Sequence, residues 1–190
     1  NKERTIRQLG LIPKLHHPYL VHTYGFSVDH KNRLWIITEL VPGTFQKFLR
    51  THKCNIALKA RILLQLAQVL EYLHSKGNIN QFRSQAIIFD LSFQSDIVHR
   101  DLKTSNVLLT KDWNVKLCDL GLAREVADKM SLAGYTDFTA PEVLKAEDKI
   151  ISGEMDIKDL PAFGLPLDVY SFGTSPHFLS HPPPSPNLPS

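Results

Sequence analysis

The most constraining feature of the sequence is a polar loop that runs directly into two short apolar segments. The loop spans His99–Asn106, and the segments that follow it are Val107–Leu109 and Val115–Leu117. Apolar runs separated by turn residues, here Lys111–Asn114, predict a β-hairpin. A hairpin returns its two ends to the same edge. We therefore expect Asn106 and Asp119 to face each other across a small gap.

The side chains of this loop suit phosphoryl transfer. Mg²⁺ prefers oxygen ligands together with substrate phosphates, and Asn106 and Asp119 supply such ligands. Lys103 can neutralise a phosphate in transfer, and Asp101 is then the free carboxylate, placed to accept a hydroxyl proton. Each residue alone is better explained as a solvated surface charge or a turn-capping aspartate. Their combination favours a catalytic site.

Composition narrows the class of protein. The chain has 190 residues and a formal net charge of +3, which argues against a strongly basic nucleic-acid binder and an acidic disordered chain. Cys54 and Cys118 are the only cysteines, which favours a reducing compartment. No apolar run approaches the ~18 residues of a membrane span, and no leader is evident after Asn1. We expect a cytoplasmic protein without a nucleic-acid or membrane partner.

The order of predicted elements is strand-rich and then helix-rich. A helical period runs from residue 1 to about 16, and strands are predicted at Val21–Val28 and Leu34–Leu40 around a turn. The clearest helix is Ile56–Ser75, whose apolar stripe excludes Gln65 and consists of Leu63, Leu66, Leu70 and Leu73. With a boundary near Pro42-Gly43, this order predicts an α+β fold.

The C-terminal segment is rich in proline. Because proline lacks the amide donor, residues 174–190 are expected to form an extended or disordered tail rather than helix. The P-x-x-P spacings Pro183/Pro186 and Pro186/Pro189 could dock on an SH3- or WW-type partner, although a plain tail is the simpler interpretation.

The loop and its surroundings resemble the eukaryotic protein kinase family. The catalytic-loop pattern H-R-D-x-K-x-x-N is matched by His99, Arg100, Asp101, Lys103 and Asn106. Asp119-Leu-Gly121 matches the metal-binding triplet of the family. Ala140-Pro-Glu142 matches the end of the activation segment, and Asp168–Gly173 matches the start of the central helix of the large lobe. Leucine replaces the usual phenylalanine of the triplet.

The resemblance implies a two-lobe fold that is truncated at both ends. Residues 1–41 would be a partial small lobe and 42–173 a partial large lobe, with an insert at 78–96. A lysine at position 103 is typical of Ser/Thr kinases, and the sequence around it is similar to that of the tyrosine-kinase-like group. The resemblance implies ATP and Mg²⁺ as cofactors and a protein Ser/Thr hydroxyl as acceptor. Asp168 would brace the backbone of the catalytic loop.

The resemblance also locates an adenine-binding hinge after the strand Leu34–Val41. Thr38 would be the gatekeeper, and the carbonyl of Glu39 and the amide of Val41 would bind the adenine edge. Leu108 would form the apolar floor under the ring. The alternative is an ordinary edge strand that ends at Pro42-Gly43. In the activation segment, Tyr135 stands where Ser/Thr kinases usually place a threonine, and phosphate on this segment would pair with Arg100.

Several features depart from the family pattern. The sequence contains no Gly-rich phosphate loop and no strand lysine, and Gln8 stands at the position of that lysine's glutamate partner. Since loss of one positioned electrostatic group commonly costs ~10²–10³ in rate, we expect little activity from the chain as written. Asn78–Asp96 is either a docking loop or an insert without selected function. The alternative function is a non-catalytic, pseudokinase-like scaffold, against which the retained Asp101, Asn106 and Asp119 argue.

Overall fold

The computed structural model describes residues 12–51, 55–76, 97–120, 124–125, 136–156, 159, 161 and 163–180. The strands in this part of the chain are β1 Thr23–Val28, β2 Leu34–Thr38, β3 Gly43–Thr44, β4 Ile97–Val98, β5 Val107–Leu109, β6 Val115–Leu117 and β7 Arg124–Glu125. The α-helices are α1 Phe45–Thr51, α2 Ile56–His74, α3 Pro141–Ile151 and α4 Pro166–Ser180. The expected α+β order is confirmed. Gln8, the insert 78–96 and residues 181–190 lie outside the described residues.

Strands β1 and β2 form an antiparallel hairpin with Val28 opposite Leu34. The carboxylate of Asp29 organises the turn, because it accepts the backbone N–H groups of Lys31 and Arg33, both at 2.9 Å. The backbone N–H of Arg33 is the largest cause that lowers the pKa of Asp29 to about 2. Both strands are shorter than predicted, since pairing begins at Thr23 and ends at Thr38.

The predicted hairpin at residues 107–117 is confirmed. β5 and β6 pair antiparallel, with Val107 opposite Leu117 and Leu109 opposite Val115, and β3 pairs with the other edge of β5. These four side chains are buried. Because side chains alternate between the faces of a strand, Leu108 and Lys116 point to the opposite face. The chain before β1 joins this sheet through a parallel bridge between Leu20 and Leu117.

Helix α2 is the apolar centre of the helix-rich region. Its N-cap is Asn55, whose side chain accepts the N–H of Leu58 at 2.8 Å. Gln65 was expected to lie outside the apolar stripe, and this was wrong, because Gln65 is buried. Its Nε2 donates to Oδ1 of Asn114 at 2.9 Å, and its Oε1 accepts the N–H of Val115 at 2.8 Å. A buried amide is tolerated where both of its ends are hydrogen-bonded in this way.

Two other expectations about helices need correction. The predicted helix of residues 1 to about 16 is, from Ile12 onward, only a 3-10 turn at Ile12–Lys14, since Pro13 supplies no amide for a further helical bond. The second correction lengthens a helix. Helix α4 continues to Ser180, so residues 174–180 are helical and do not form an extended tail. Pro176 removes a single helical N–H.

One apolar core joins the strand-rich and helix-rich regions. It contains Leu15 and Leu20 from the N-terminal part, the buried side of the β5–β6 hairpin, and Ile62, Leu66, Val69, Leu70 and Leu73 of α2. A second, smaller cluster packs Val98 and Ala140 against Val143 and Leu167. The candidate catalytic loop lies between these clusters. Within the described residues, no helix has the length and apolar character needed to cross a membrane.

Candidate active site

The start of the loop after β4 is held by a buried carboxylate from a distant helix. Asp168, in the first turn of α4, is fully buried. Its Oδ2 accepts the N–H of His99 at 2.7 Å and its Oδ1 accepts the N–H of Arg100 at 2.8 Å. Nε2 of His74, the last residue of α2, lies 2.8 Å from Oδ2. The expectation that Asp168 braces the loop backbone is confirmed.

This brace fixes an uncommon backbone conformation. Arg100 has a φ of 71°, in the left-handed region that non-glycine residues rarely adopt. The two carboxylate bonds to successive amides, at residues 99 and 100, compensate for the cost of that conformation. The side chain of the next residue, Asp101, is thereby directed into the site.

The structure brings three predicted site residues together. Oδ2 of Asp101 lies 2.8 Å from Nζ of Lys103 and accepts Nδ2 of Asn106 at 2.8 Å. Nδ2 of Asn106 also donates to the backbone carbonyl of Asp101 at 2.9 Å. That Asp101 stays free of the metal remains a prediction, but its carboxylate is not isolated, since a carboxylate that is only 7% exposed needs a cation and a donor nearby. Its remaining lone pairs can still accept a proton.

Asn106 and Asp119 are neighbours across the open end of the β5–β6 hairpin. The N–H of Cys118 donates to the carbonyl of Asn106 at 2.9 Å, which closes the hairpin one residue before Asp119. Asp119 is exposed and has a φ of 64°, so the chain turns sharply at this carboxylate. The predicted juxtaposition of the two residues at one end of the hairpin is thus present in the backbone.

The donors at this end fit Mg²⁺. Because Nδ2 of Asn106 is committed to Asp101, Oδ1 is the amide atom left to act as a ligand. An amide oxygen and a carboxylate match the hard ligands of Mg²⁺, which keeps several waters and binds substrate phosphates. In the part of the chain that the structure describes, no group of three or more His, Cys, Asp or Glu residues could hold a metal. Two protein oxygens would leave the other positions around Mg²⁺ to waters and phosphate oxygens.

Cys118 lies beside both candidate ligands, and its surroundings disfavour the thiolate. Burial, followed by the charges of Asp119 and Asp101, raises the pKa of its thiol to about 11. Its Sγ lies 3.2 Å from the carbonyl oxygen of Asn106. A thiol that stays protonated is a poor nucleophile, so Cys118 serves as a packing residue.

The predicted hinge residues lie next to the other face of the hairpin. Thr38 ends β2, and its hydroxyl donates to the carbonyl of Glu39 at 3.2 Å. Val41 and Leu108 are both half-buried, while Leu40 between the hinge residues is 96% exposed. Leu108 is paired in register with Lys116, and Nζ of Lys116 lies 2.7 Å from Oε1 of Glu39. Lys116 thus links the predicted hinge to the hairpin.

Sequence reasoning missed some of the residues that position this site. Lys116 was not singled out, although the two-residue period of β6 places it on the same face as Leu108. No sequence pattern indicated a role for His74, because its partner Asp168 is separated from it by 94 positions. Ser131 and Tyr135 of the predicted activation segment lie outside the described residues. The end of that segment is anchored, since the hydroxyl of Ser171 in α4 donates to the carbonyl of Phe138 at 2.7 Å.

Comparison with known proteins agrees with this arrangement. The family model described as "Protein kinase domain" matches residues 1–174. A serine/threonine-protein kinase of Dictyostelium discoideum, described as probable, is 29% identical over 88% of this chain and 15% of its own length. "Probable serine/threonine-protein kinase kinX" of the same organism is 31% identical over 75% of this chain and 12% of its own length.

A third relative, "Mitogen-activated protein kinase mpkC" of Aspergillus terreus, is 26% identical over 90% of this chain and 38% of its own length. The chain belongs to the protein kinase domain family. It is similar to Ser/Thr protein kinases and spans well under half the length of these relatives. Membership of the tyrosine-kinase-like group stays a prediction.

Proposed function

We propose that the chain is a Ser/Thr protein kinase catalytic region that transfers the γ-phosphoryl group of MgATP to a protein hydroxyl. The observation that supports this most is the convergence of Asp101, Lys103 and Asn106 within 2.8–2.9 Å at the end of the hairpin that leads to Asp119. Bound Mg²⁺ would neutralise phosphate charge and orient the transferred group. A cytoplasmic location and an SH3- or WW-type partner of the tail stay predictions.

Each residue of the site has a distinct role in this proposal. Asp101 accepts the proton of the substrate hydroxyl, and Asn106 orients the Asp101 carboxylate through the hydrogen bond to its Oδ2. Lys103 lies 2.8 Å from the same oxygen, so its charge stands between the base and the transferred phosphate. Asn106 and Asp119 supply the oxygen ligands for Mg²⁺.

Nucleotide recognition is proposed for the hinge. Thr38 leaves space behind the adenine, the carbonyl of Glu39 and the amide of Val41 bind its edge, and Leu108 packs under the ring. Glu39 has a second lone pair on its carbonyl oxygen besides the one that accepts the Thr38 hydroxyl. The half-buried position of Leu108 is consistent with an apolar floor that a flat ring can cover.

A thermal-shift titration with MgATP up to millimolar concentration tests nucleotide binding. We expect the melting temperature of the wild-type chain to rise, because a ligand that binds only the folded state stabilises it. Asp119→Asn should abolish the rise. Asp112→Asn, at an exposed aspartate in the turn of the same hairpin, should leave it intact. Absence of a rise in the wild-type chain contradicts the proposal.

Phosphoryl transfer to a degenerate Ser/Thr peptide library separates the enzyme from the alternative scaffold, which Gln8 favours. An active chain should lose roughly 10²–10⁴-fold in rate in Asp101→Asn, since that is the usual contribution of a general base. Because little activity is expected of the chain as written, the readout is the residual rate of transfer. A slow rate that Asp101→Asn lowers supports the enzyme, and a background rate that Asp101→Asn leaves unchanged, together with nucleotide binding, supports the non-catalytic, pseudokinase-like module instead.

A further inference from the structure

Lys116 makes contacts that the proposed catalytic roles do not use. It is the central residue of β6, and its side chain is only 17% exposed. Nζ lies 2.7 Å from Oε1 of Glu39 and 3.5 Å from the carbonyl oxygen of Leu20. The strand that carries Lys116 leads within three residues to Asp119. The amine therefore connects the strand before the metal-binding carboxylate to the hinge.

Glu39 is held by its backbone as well as by its side chain. Its N–H donates to the carbonyl of His22 at 2.9 Å, and its Oε1 accepts the N–H of His22 at 2.8 Å. Burial works to raise the pKa of Glu39, but the hydrogen bonds from Lys116 and His22 outweigh it and lower the pKa below its usual value. The carboxylate is therefore charged at neutral pH and faces a fixed cation.

Backbone hydrogen bonds hold the segments on both sides of this ion pair. The N–H of Leu117 donates to the carbonyl of Tyr19, and the N–H of Val21 donates to the carbonyl of Leu117, both at 2.8 Å. Residues 19–22 are thus bound to β6 by backbone bonds on one side and to Glu39 on the other. Only the Lys116 side chain crosses directly from β6 to Glu39 among the contacts described.

We propose that Lys116 and Glu39 form a positioning pair that sets the adenine-binding segment Glu39–Val41 against the metal-binding end of the hairpin. This inference rests on the proposed function. Neither side chain touches reacting atoms; the pair acts through the backbone at residue 39. The adenine and the phosphates belong to one nucleotide, so their sites must keep a fixed separation, and a small misplacement of either site weakens both binding and transfer.

The test uses the full chain, four single variants and one double variant. Lys116→Met removes the amine and keeps most of the aliphatic stem, while Lys116→Arg keeps the charge. Lys111→Met removes the same charge from the exposed turn of the same hairpin and serves as the matched control. Glu39→Gln keeps an oxygen for the N–H of His22 but loses the carboxylate charge. Each variant is compared for MgADP affinity and, without nucleotide, for hydrogen exchange of the amides in 39–44.

We expect Lys116→Met to weaken MgADP binding about tenfold, because removing one member of a partly buried pair leaves the other charge uncompensated. Exchange in 39–44 should become faster in the same variant. Lys116→Arg should restore both values, and Lys111→Met should match the wild type. The double variant Glu39→Gln/Lys116→Met should bind no more weakly than Lys116→Met alone, since paired residues act as a unit.

Two outcomes overturn the inference: unchanged exchange in 39–44 in Lys116→Met, or losses of affinity that add in the double variant. If Lys116→Met reduces the folded fraction, Glu39→Gln is compared with the wild type for the same two quantities, MgADP affinity and hydrogen exchange in 39–44, because it perturbs the pair less. Failure of the wild-type chain to bind MgADP contradicts the proposed function instead. The exchange measured without nucleotide still tests the pair in that case.

Discussion

At the scale of single residues, the site is built from charges that are partly or fully buried and therefore paired. Asp101 lies against Lys103, Glu39 against Lys116, and Asp168 against backbone amides and His74. Burial of an unpaired charge is costly, so each pairing also fixes a position. His17 is different, because its neighbours favour the neutral form of its ring.

The environment of His17 makes stability depend on pH. Its ring stacks on Tyr72 at 5.0 Å, meets Tyr19 edge-on, and accepts the N–H of Tyr19 through Nδ1 at 3.2 Å. Burial, followed by the charges of Lys116 and Lys76, lowers the pKa of His17 below 6.5. The unfolded state therefore binds this proton at a higher pH than the folded state does.

Stability should consequently decrease as pH falls from the usual histidine value near 6.5 through the lowered pKa of the folded state. His17→Gln should flatten this part of the profile of unfolding free energy against pH, measured by urea denaturation. His30→Gln, in an exposed turn position, is the matched control and should leave the slope unchanged. An identical slope in wild type and His17→Gln would contradict the assignment.

At the scale of elements, the β5–β6 hairpin is supported by one face of α2. Gln65 bonds the side chain of Asn114 and the backbone of Val115, and Arg61, one turn earlier, donates to the carbonyls of Asp112 and Trp113 at 3.0 Å. The helix therefore holds the turn of the hairpin whose other end carries the candidate metal ligands.

Replacement of Gln65 by leucine should lower the free energy of unfolding by about 1–3 kcal/mol, because it leaves the N–H of Val115 buried without a partner. The measurement is urea denaturation, with hydrogen exchange of residues 107–117 as a local readout. Gln68→Leu, at an exposed position of the same helix, should change the stability little. Equal effects of the two substitutions would show that the buried amide is not the cause.

Local signals explain which elements could be predicted from the sequence. The hairpin at 107–117 and most of α2 follow from turn residues and apolar periodicity within a few positions. Gln65 was misplaced because its burial depends on Asn114 and Val115, about 50 positions away. The length of α4 was underestimated because the proline-rich composition of residues 174–190 predicts no helix, although Pro176 removes only a single helical N–H.

The candidate site likewise combines residues that local spacing predicts with contacts that local spacing cannot predict. Asp101, Lys103 and Asn106 could be grouped from spacing alone, since they belong to one loop. The bond from Lys116 to Glu39 joins residues 77 positions apart, and no local pattern encodes such a contact. The bond between Asn106 and Asp101 was missed because burial, which sequence spacing does not reveal, makes a partner necessary.

At the scale of the whole molecule, apolar side chains are unevenly covered. Those of α2 and β5–β6 are buried, whereas the β1–β2 hairpin exposes Val28, Trp35, Ile36 and Ile37 by about half or more of their area. The chain as described therefore combines a packed core with an exposed apolar surface on the β1–β2 hairpin.

We expect the folded chain to bind a hydrophobic dye. Because β2 is exposed along its length, the double variant Ile36→Thr/Ile37→Thr should reduce dye fluorescence while it retains the β propensity of branched residues. The melting temperature should change little. Dye fluorescence that persists in the variant, or a dye-silent compact monomer in size-exclusion chromatography of the wild type, would contradict this prediction.

The contact between Asp168 and the amides of residues 99 and 100 also has a consequence for biosynthesis. The loop leaves the ribosome well before its brace does, since 68 and 69 positions separate the partners. Until residue 168 is translated and α4 docks, the two carboxylate bonds that compensate the left-handed turn at Arg100 are absent. A nascent chain released before that point would lack an assembled catalytic loop, whatever the quality of its earlier helices.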